Sequence, residues 1–534
     1  MQYGPKIVTN GLVLALDAAE ANSYGPIKAE VLVVAGGGGG GSDMGGGGGG
    51  GGVLYSSSYT VTRGSTITVT VGNGGAGATA GVGQARGTNG DNSVFGSLTS
   101  IGGGGGASCH DRSTSPAGNG GSGGGASGGG TLPSGGSGGG GYGGGIRGLG
   151  TSGQGYDGGT GIYAWYPGGG GGAGGPGTNN PATGGPGVLY SSISSYYFGG
   201  GGGGSGYSGN GGNGGIGGGG GGAVGTTTGG AGLNNGSPGG GGSINSQTNT
   251  PGGNAGANTG GGGGGGSHYS TNNYGGNGGS GIVIVRYKGP QKATGGTITT
   301  VDNETVHTFT SSGSFVAGTN FADLSGNNIT CTLTGSPVFN SANNGSIVFN
   351  GSTQFSTFTP TPTILQGNPN FTVIGFYKRT GNFSSKGFWG IGGSNAGGTG
   401  QGICNWNYGN TNEIAIDSWG ESTFTTGQTY PLNTWIGVAW RKIAGPTTRA
   451  NCIISIFDGT NITHYTSTAL TVLRAESATN LNINSIGGIT LGSISVDTGY
   501  CSPVNIANHC IYNRLLSDAE ILLNFQATKA RFGL

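Results

Sequence analysis

Three carboxylates, Glu413, Asp417 and Glu421, come nearest in this chain to the spacing of an acid–nucleophile pair. On an extended strand they would share one face, with adjacent members about 13 Å apart at the usual rise per residue. Cleaving a glycosidic bond needs two carboxyl groups roughly 5–9.5 Å apart, so these three are expected to be surface carboxylates. His110 and Asp111 follow Cys109 without any partner at metal-ligand or triad spacing. His268, His307, His464 and His509 are equally isolated and read as solvated or structural. The six cysteines are scattered with no metal spacing. Cys501 and Cys510 could bridge a hairpin, or all could be free thiols of a protein assembled in a cytoplasm. No catalytic residue, metal or cofactor is assigned, and no enzyme is expected.

Binding chemistry is better represented. Flat aromatic faces stack on sugar rings, while Asn, Ser and backbone groups bond the hydroxyls. Aromatics stand in the breaks between glycine runs, and the receptor-binding candidates among them are Tyr163, Trp165, Tyr166, Tyr196, Tyr197, Phe198, Tyr269 and Tyr274, with Tyr190, Tyr207 and His268 nearby in sequence. The same rings could instead cap a bundle and shield its open backbone. Trp406, Tyr408 and Trp419, beside Asn405, Asn407 and Asn410, form a secondary glycan candidate. Trp435 and Trp440 lie in an apolar strand at 435–441 and read as core.

The elements that must position the first group are made almost wholly of glycine. The chain holds 141 glycines, most of them between residues 28 and 289 in runs such as 36–41, 45–52, 168–172, 199–204, 217–222 and 260–266. Gly-rich sequence usually behaves as flexible coil. Here the breaks differ from one another and carry buried-type aromatics, and strand-like sequence closes both ends, at 31–34 and 282–287. Collagen is excluded because no Gly-X-Y period is sustained. The ordered alternative is a bundle of extended threefold helices of the polyglycine II type. At about 3.1 Å per residue, a six-residue run spans roughly 19 Å. Such rods have no internal hydrogen bonds, but without Cβ atoms they can pack closely enough to bond one another. The runs are not phosphate loops, since they lack a Lys-Ser/Thr ending and a following helix.

Charged residues make up 7% of the chain and the formal net charge is +1, which leaves no electrostatic footprint for nucleic acid or an anionic membrane. No apolar run approaches the roughly 20 residues of a membrane span, and 7–19 makes a poor signal peptide because Asn10, Gly11 and Asp17 interrupt it.

After about residue 318 short alternating segments appear at 346–350, 371–378, 387–391, 413–418, 435–441, 452–457 and 486–491, the spacing of an all-β sandwich. Near the end Ser517 and Glu520 form a capping box at the start of a helix. The segment 511–520, followed by Asn524 and Phe525, resembles the closing strand and helix of concanavalin A-like (laminin G-like) jelly rolls, and 323–328 with 346–351 resembles their opening. The strand that normally precedes that opening is matched by 11–18 with Ser23 and Tyr24, some 300 residues upstream. The resemblance implies one sandwich split by an insertion, with the insert's entry and exit held together by pairing of 31–34 with 282–286. A calcium role for Asp17 or Asp323 would follow by analogy, but no ligand set accompanies them. The insert resembles glycine-rich domains of bacteriophage tail-fibre and adhesin proteins, through 31–35, 66–72, 92–96 and 280–287. The segments 294–300 and 306–310 resemble a hairpin that usually precedes such a block but follows it here.

The expected organisation is therefore all-β. Residues 1–26 supply the first strands of a sandwich, 27–289 an inserted polyglycine II-type block with flanking strands, 290–318 a hairpin connector and 319–534 the rest of the sandwich. The resemblance implies a virion structural protein, a tail-fibre or adhesin subunit whose partners are other virion proteins and a host cell-surface glycan or protein, with a possible homo-oligomer and neither nucleic acid nor membrane insertion. The alternative is a decoration protein, head fibre or appendage filament subunit. A glycan-cleaving enzyme trails both.

Overall fold

The missing Cβ of glycine decides the architecture between residues 36 and 281 of the computed structural model. That structure describes every residue except 1–6, 19–25, 80–85, 111–112, 115, 129–145, 162–165, 208, 242–249, 269–272, 290, 319–322, 328, 330, 341, 343–344, 359–360, 383–384, 394–401, 407–408, 410–411, 419–421, 475, 477–479, 486–487 and 496–497. The chain divides into two compact units, Met1–Ile27, Thr62–Gly64 and Gly318–Leu534 in one, Lys28–Val61 and Ser65–Ala317 in the other.

In the glycine-rich unit the runs are ordered rods bonded to one another mainly through backbone. Along 36–41 the acceptor changes with a period of three: Gly36 and Gly39 donate to Asp91 and Thr88, Gly37 and Gly40 to Gly279 and Gly276, Gly38 and Gly41 to Gly49 and Gly46, all at 2.8–3.0 Å. The run 46–51 repeats the pattern toward 104–107, 168–171 and 260–263. Each central rod thus donates to three neighbours, some antiparallel and some parallel, and its carbonyls accept from three others, as 36–41 do from 103–106, 75–78 and 263–266. Close approach is what demands glycine: a Cβ on Gly37 would lie 1.9 Å from the Gly261 carbonyl oxygen, and one on Gly47 1.9 Å from that of Gly202. Uninterrupted runs are buried along their whole length, at 36–41, 45–52, 199–204, 217–222 and 260–266. Outer rods instead carry a side chain at every third position, and that residue is exposed: Asn210, Asn213 and Ile216; Asn254 and Ala257; Tyr274 and Asn277. Several outer asparagines accept from a neighbouring rod's amide, Asn277 from Gly77 at 2.9 Å and Asn213 from Thr228 at 2.9 Å.

Two five-stranded antiparallel sheets belong to the same unit. One runs Thr297–Val301, Glu304–Phe309, Ile282–Lys288, Ile27–Val34, Val53–Val61, and the other Ala293–Thr294, Gly313–Ala317, Thr66–Thr70, Ser93–Phe95, Leu98–Ser100. The entering and leaving strands pair, Val34 opposite Ile282 and Val31 opposite Val285. The segment 290–318, expected as a connector, supplies four strands to these two sheets. The reason is its inward face: Thr305, His307, Phe309, Phe315 and Ala317 are all buried, and Phe315 packs edge-on against Phe95 and His307. His307 Nε2 meets the Tyr287 hydroxyl at 2.9 Å and its Nδ1 the Gly295 carbonyl at 2.7 Å, and burial lowers its pKa.

The other unit contains two eight-stranded antiparallel sheets. The first is ordered Val338–Asn340, Ser346–Asn350, Pro503–Tyr512, Phe371–Arg379, Trp435–Lys442, Cys452–Phe457, Ile462–Tyr465, with Leu12–Asp17 also pairing Pro503–Tyr512. The second is Thr332–Thr334, Phe355–Phe358, Ile489–Leu491, Trp389–Gly392, Gly402–Cys404, Glu413–Asp417, Thr423–Thr429, Thr471–Arg474. Alternate side chains of both sheets meet in one apolar core that includes Leu14, Leu16, Phe349, Trp389, Ile416 and Trp440. A second cluster lies on the other face of the first sheet, where Ile521 and Phe525 of the helix Asp518–Thr528 pack with Phe376 and Phe457. Ser517 caps that helix and forms a capping box with Glu520. All six cysteines are buried free thiols, so Cys501 and Cys510 are not bridged.

Candidate functional site

The rods give the glycine-rich unit two ends. At one, Ala35 continues from strand Ile27–Val34 and donates to Gly52, while Gly199 donates to Thr259. At the other, Ser205 donates to Gly45 at 3.0 Å, Gly204 to Ala182 at 2.7 Å, and Ser42 to the Ser108 hydroxyl at 2.9 Å. The aromatic breaks are divided between these ends rather than gathered on one face. A six-residue rod of roughly 19 Å separates the groups.

Tyr196, Tyr197 and Phe198 lie at the strand end. Tyr197–Phe198 pairs with Val188–Leu189, leaving Tyr196 and Tyr197 exposed at 44% and 39%. Phe198 points the opposite way. It is 1% exposed and packs in a small core with Leu32, Val34, Val53, Ile193 and Ile282, so as a receptor contact it is corrected to a cap residue. Tyr190 joins the same cap by stacking on Tyr55 at 4.5 Å between ring centroids. Tyr55 in turn bonds Glu30 at 3.0 Å and Ser192 at 2.9 Å, and burial raises its hydroxyl pKa.

Tyr166, Tyr207 and Tyr274 lie toward the other end. Tyr274 is 42% exposed. Tyr166 and Tyr207 line a cleft of about 360 Å³ together with Asn179, Asn180, Ser205 and Asn210. None of its described lining residues is charged. An ionisable pair is beside it: the Tyr207 ring lies 6.3 Å from that of His268, which is paired with Asp43. The asparagines and Ser205 were not singled out in the sequence. The signal was available in the breaks Asn179-Asn180-Pro181 and Ser205-Gly206-Tyr207, each of which interrupts the glycine rods with polar residues. Tyr163, Trp165 and Tyr269 lie outside the described residues.

In the two-sheet unit, Trp406 is partly buried and meets Tyr500 edge-on at 6.1 Å, while Tyr408, Trp419 and Glu421 lie outside the described residues. Trp435 and Trp440 are buried, as the apolar strand implied. Glu413 and Asp417 do not form an exposed pair. Asp417 is fully buried and accepts from the Thr423 hydroxyl, while Glu413 accepts from Thr425 at 2.5 Å. Asp17 pairs with Arg531 at 2.6 Å. Asp323 accepts from the Ala15 and Ser325 amides at 3.0 and 2.8 Å, and so ties the strand Leu12–Asp17 to its own turn. Among the described residues no group of three or more His, Cys, Asp or Glu is placed to hold a metal ion, and no helix is long and apolar enough to cross a membrane.

Residues 21–253 match the family model of a glycine-rich domain. No curated protein matches the chain. Among solved structures, the chain is similar to domain 4 of an extracellular arabinanase from Geobacillus stearothermophilus in complex with arabinotriose, at 14% identity and TM-score 0.29, over 39% of this chain and 92% of that one. It is also similar to an α-L-arabinofuranosidase soaked with a cyclic sulfate inhibitor, at 14% identity and TM-score 0.31, over 40% of this chain and 50% of that one. A third is the Trypanosoma rangeli sialidase in complex with the inhibitor DANA, at 14% identity and TM-score 0.27, over 39% of this chain and 30% of that one. Likeness at this level carries no argument about activity.

Proposed function

We propose that this protein is a bacteriophage virion structural protein, a tail-fibre or adhesin subunit whose glycine-rich unit is presented to a host cell-surface glycan or protein. On this reading the rods are a polyglycine II-type lattice, and the two-sheet unit is a concanavalin A-like jelly roll that attaches it to other virion proteins. The observation that carries the reading is the rod end bearing Tyr166, Tyr207 and Tyr274, an aromatic surface on a backbone-bonded block, with a cleft whose described lining carries no charge. Such a block offers rigidity without a large side-chain core, and its end loops are free to vary. Immunogold electron microscopy of virions, with adsorption measured in the presence of the purified chain, tests it. Label on an appendage tip and blocked adsorption are expected. Label elsewhere with unblocked adsorption sinks the reading.

A decoration or filament subunit is the second reading, favoured by the exposed Tyr196, Tyr197 and Ile216 near the strand end. Self-association at micromolar concentration in sedimentation velocity, abolished by Tyr197→Ser, would select it.

A further inference from the structure

Ser205 ends the rod 199–204 and lines the cleft. The residue is 2% exposed and its hydroxyl has no hydrogen-bond partner. A buried hydroxyl without a partner has given up its bond to water for nothing, so it stands ready for a bound group that restores one. The side-chain amides of the half-buried Asn179 and the exposed Asn180, on the same cleft, make no hydrogen bond to described protein groups and are open to solvent or a ligand. Tyr166 and Tyr207 add ring surface to its walls. Unused uncharged donors and acceptors beside aromatic rings match a ligand that is polyhydroxylated and neutral. A phosphate, sulfate or carboxylate would need a cation, and no described lining residue is one. An acyl chain would leave the amides and the hydroxyl unpaired. The volume of about 360 Å³ is at the small end of the roughly 300–1,000 Å³ usual for ligand clefts.

We infer that this cleft holds one or two neutral sugar residues, with the buried Ser205 hydroxyl and the Asn179 amide bonding their hydroxyls. The inference rests on the receptor reading only for the source of the sugar, a host-surface glycan. Saturation-transfer NMR on the full chain with the methyl glycosides of glucose, galactose, mannose and N-acetylglucosamine tests it. At least one glycoside is expected to take up saturation. Ser205→Ala and Asn179→Ala should each weaken its binding roughly tenfold, and Val301→Ser, on the exposed edge strand Thr297–Val301, should leave it unchanged. Ser205→Ala should also keep or raise the Tm, because it deletes an unpaired hydroxyl, whereas loss of a purely structural serine would lower it. No saturation from any of the four, or saturation indifferent to both cleft substitutions, overturns the inference. If the purified chain still blocks adsorption in that case, and protease rather than periodate treatment of the cells removes the receptor, the receptor reading stands with a protein partner. A glycoside bound through Ser205 without blocked adsorption would keep the sugar site and discard the receptor reading.

Discussion

At the residue scale the glycines of the rods are required for spacing, and few of them for their own dihedral angles. Gly202 adopts no left-handed conformation, yet a Cβ there would stand 2.0 Å from the Gly263 carbonyl oxygen, with carbon and oxygen neighbours that are all backbone. Nothing flexible can yield. Gly202→Ala should therefore destabilise the unit by at least about 3 kcal/mol, read as loss of amide-exchange protection along 199–204. Gly241→Ala, whose added carbon meets, among the described residues, only the Gly225 oxygen at 3.6 Å, should be neutral or slightly stabilising by the usual loss of unfolded-state freedom. In the other unit a single buried ring sets a pH dependence. His509 is fully buried, its Nδ1 lies 2.8 Å from the Tyr377 hydroxyl, and burial lowers its pKa to about 3. The unfolded chain takes up this proton below about pH 6.5, and the native state only near pH 3. The native state is thus fully favoured above pH 6.5 and loses up to about 1.4 kcal/mol per unit as pH falls toward 3. Urea unfolding followed by tryptophan fluorescence at pH 7 and pH 5 measures it, since five of the six tryptophans lie in this unit. His509→Gln should flatten the slope.

At the element scale a rod and a strand differ in what holds them. A central rod has no side chains, and it is fixed by backbone hydrogen bonds to six neighbours, donating to three and accepting from three others. Opening it requires breaking several such contacts at once. Amides of 36–41 and 260–266 should then exchange at rates set by global rather than local opening. Exchange at coil rates in these runs would contradict the lattice. Strand Leu12–Asp17 is held by both ladder and core: Leu14 and Leu16 stand opposite Ile511 and His509, and both leucines are buried in the main cluster. Leu14→Ala should cost about 2–5 kcal/mol in the same fluorescence experiment, although the residue is more than 300 positions from the other strands of its sheet. Periodicity identified both kinds of element, period two for the strands and near-continuous glycine for the rods, and the capping box at Ser517 stood complete in the sequence. The aromatic breaks were found as breaks, but the end to which each belongs was not.

At the scale of the whole molecule the position of the unit boundary has a practical consequence. Strands Glu304–Phe309 and Gly313–Ala317 pair with Ile282–Lys288 and Thr66–Thr70, so excision of 28–289 would leave them without partners and with His307 and Phe315 uncovered. Unpaired strand edges invite association with other chains. Excising 28–317 with a short Gly-Ser bridge should yield a soluble two-sheet protein that retains cooperative fluorescence unfolding. The 28–289 excision should aggregate. Equal solubility of the two would show that the hairpin strands contribute nothing to the glycine-rich unit.

The sequence by itself determined that about a quarter of the chain is glycine, gathered mostly in runs between 28 and 289, where many of the strands recur, and that charged residues are scarce. In the structure a lattice spaced for hydrogens admits no Cβ in an interior rod, whereas every third residue of an outer rod faces outward and can carry a side chain. Only the tertiary structure decided which rods are neighbours. Glycine carries no side chain that could specify a partner, and parallel and antiparallel contacts use the same backbone bond. The sequence therefore left open which breaks share an end. Packing separated Tyr166 and Tyr207 from Tyr196 and Tyr197, turned Phe198 inward, drew 290–318 into the sheets, and set the unpaired Ser205 hydroxyl beside Asn179 and Asn180.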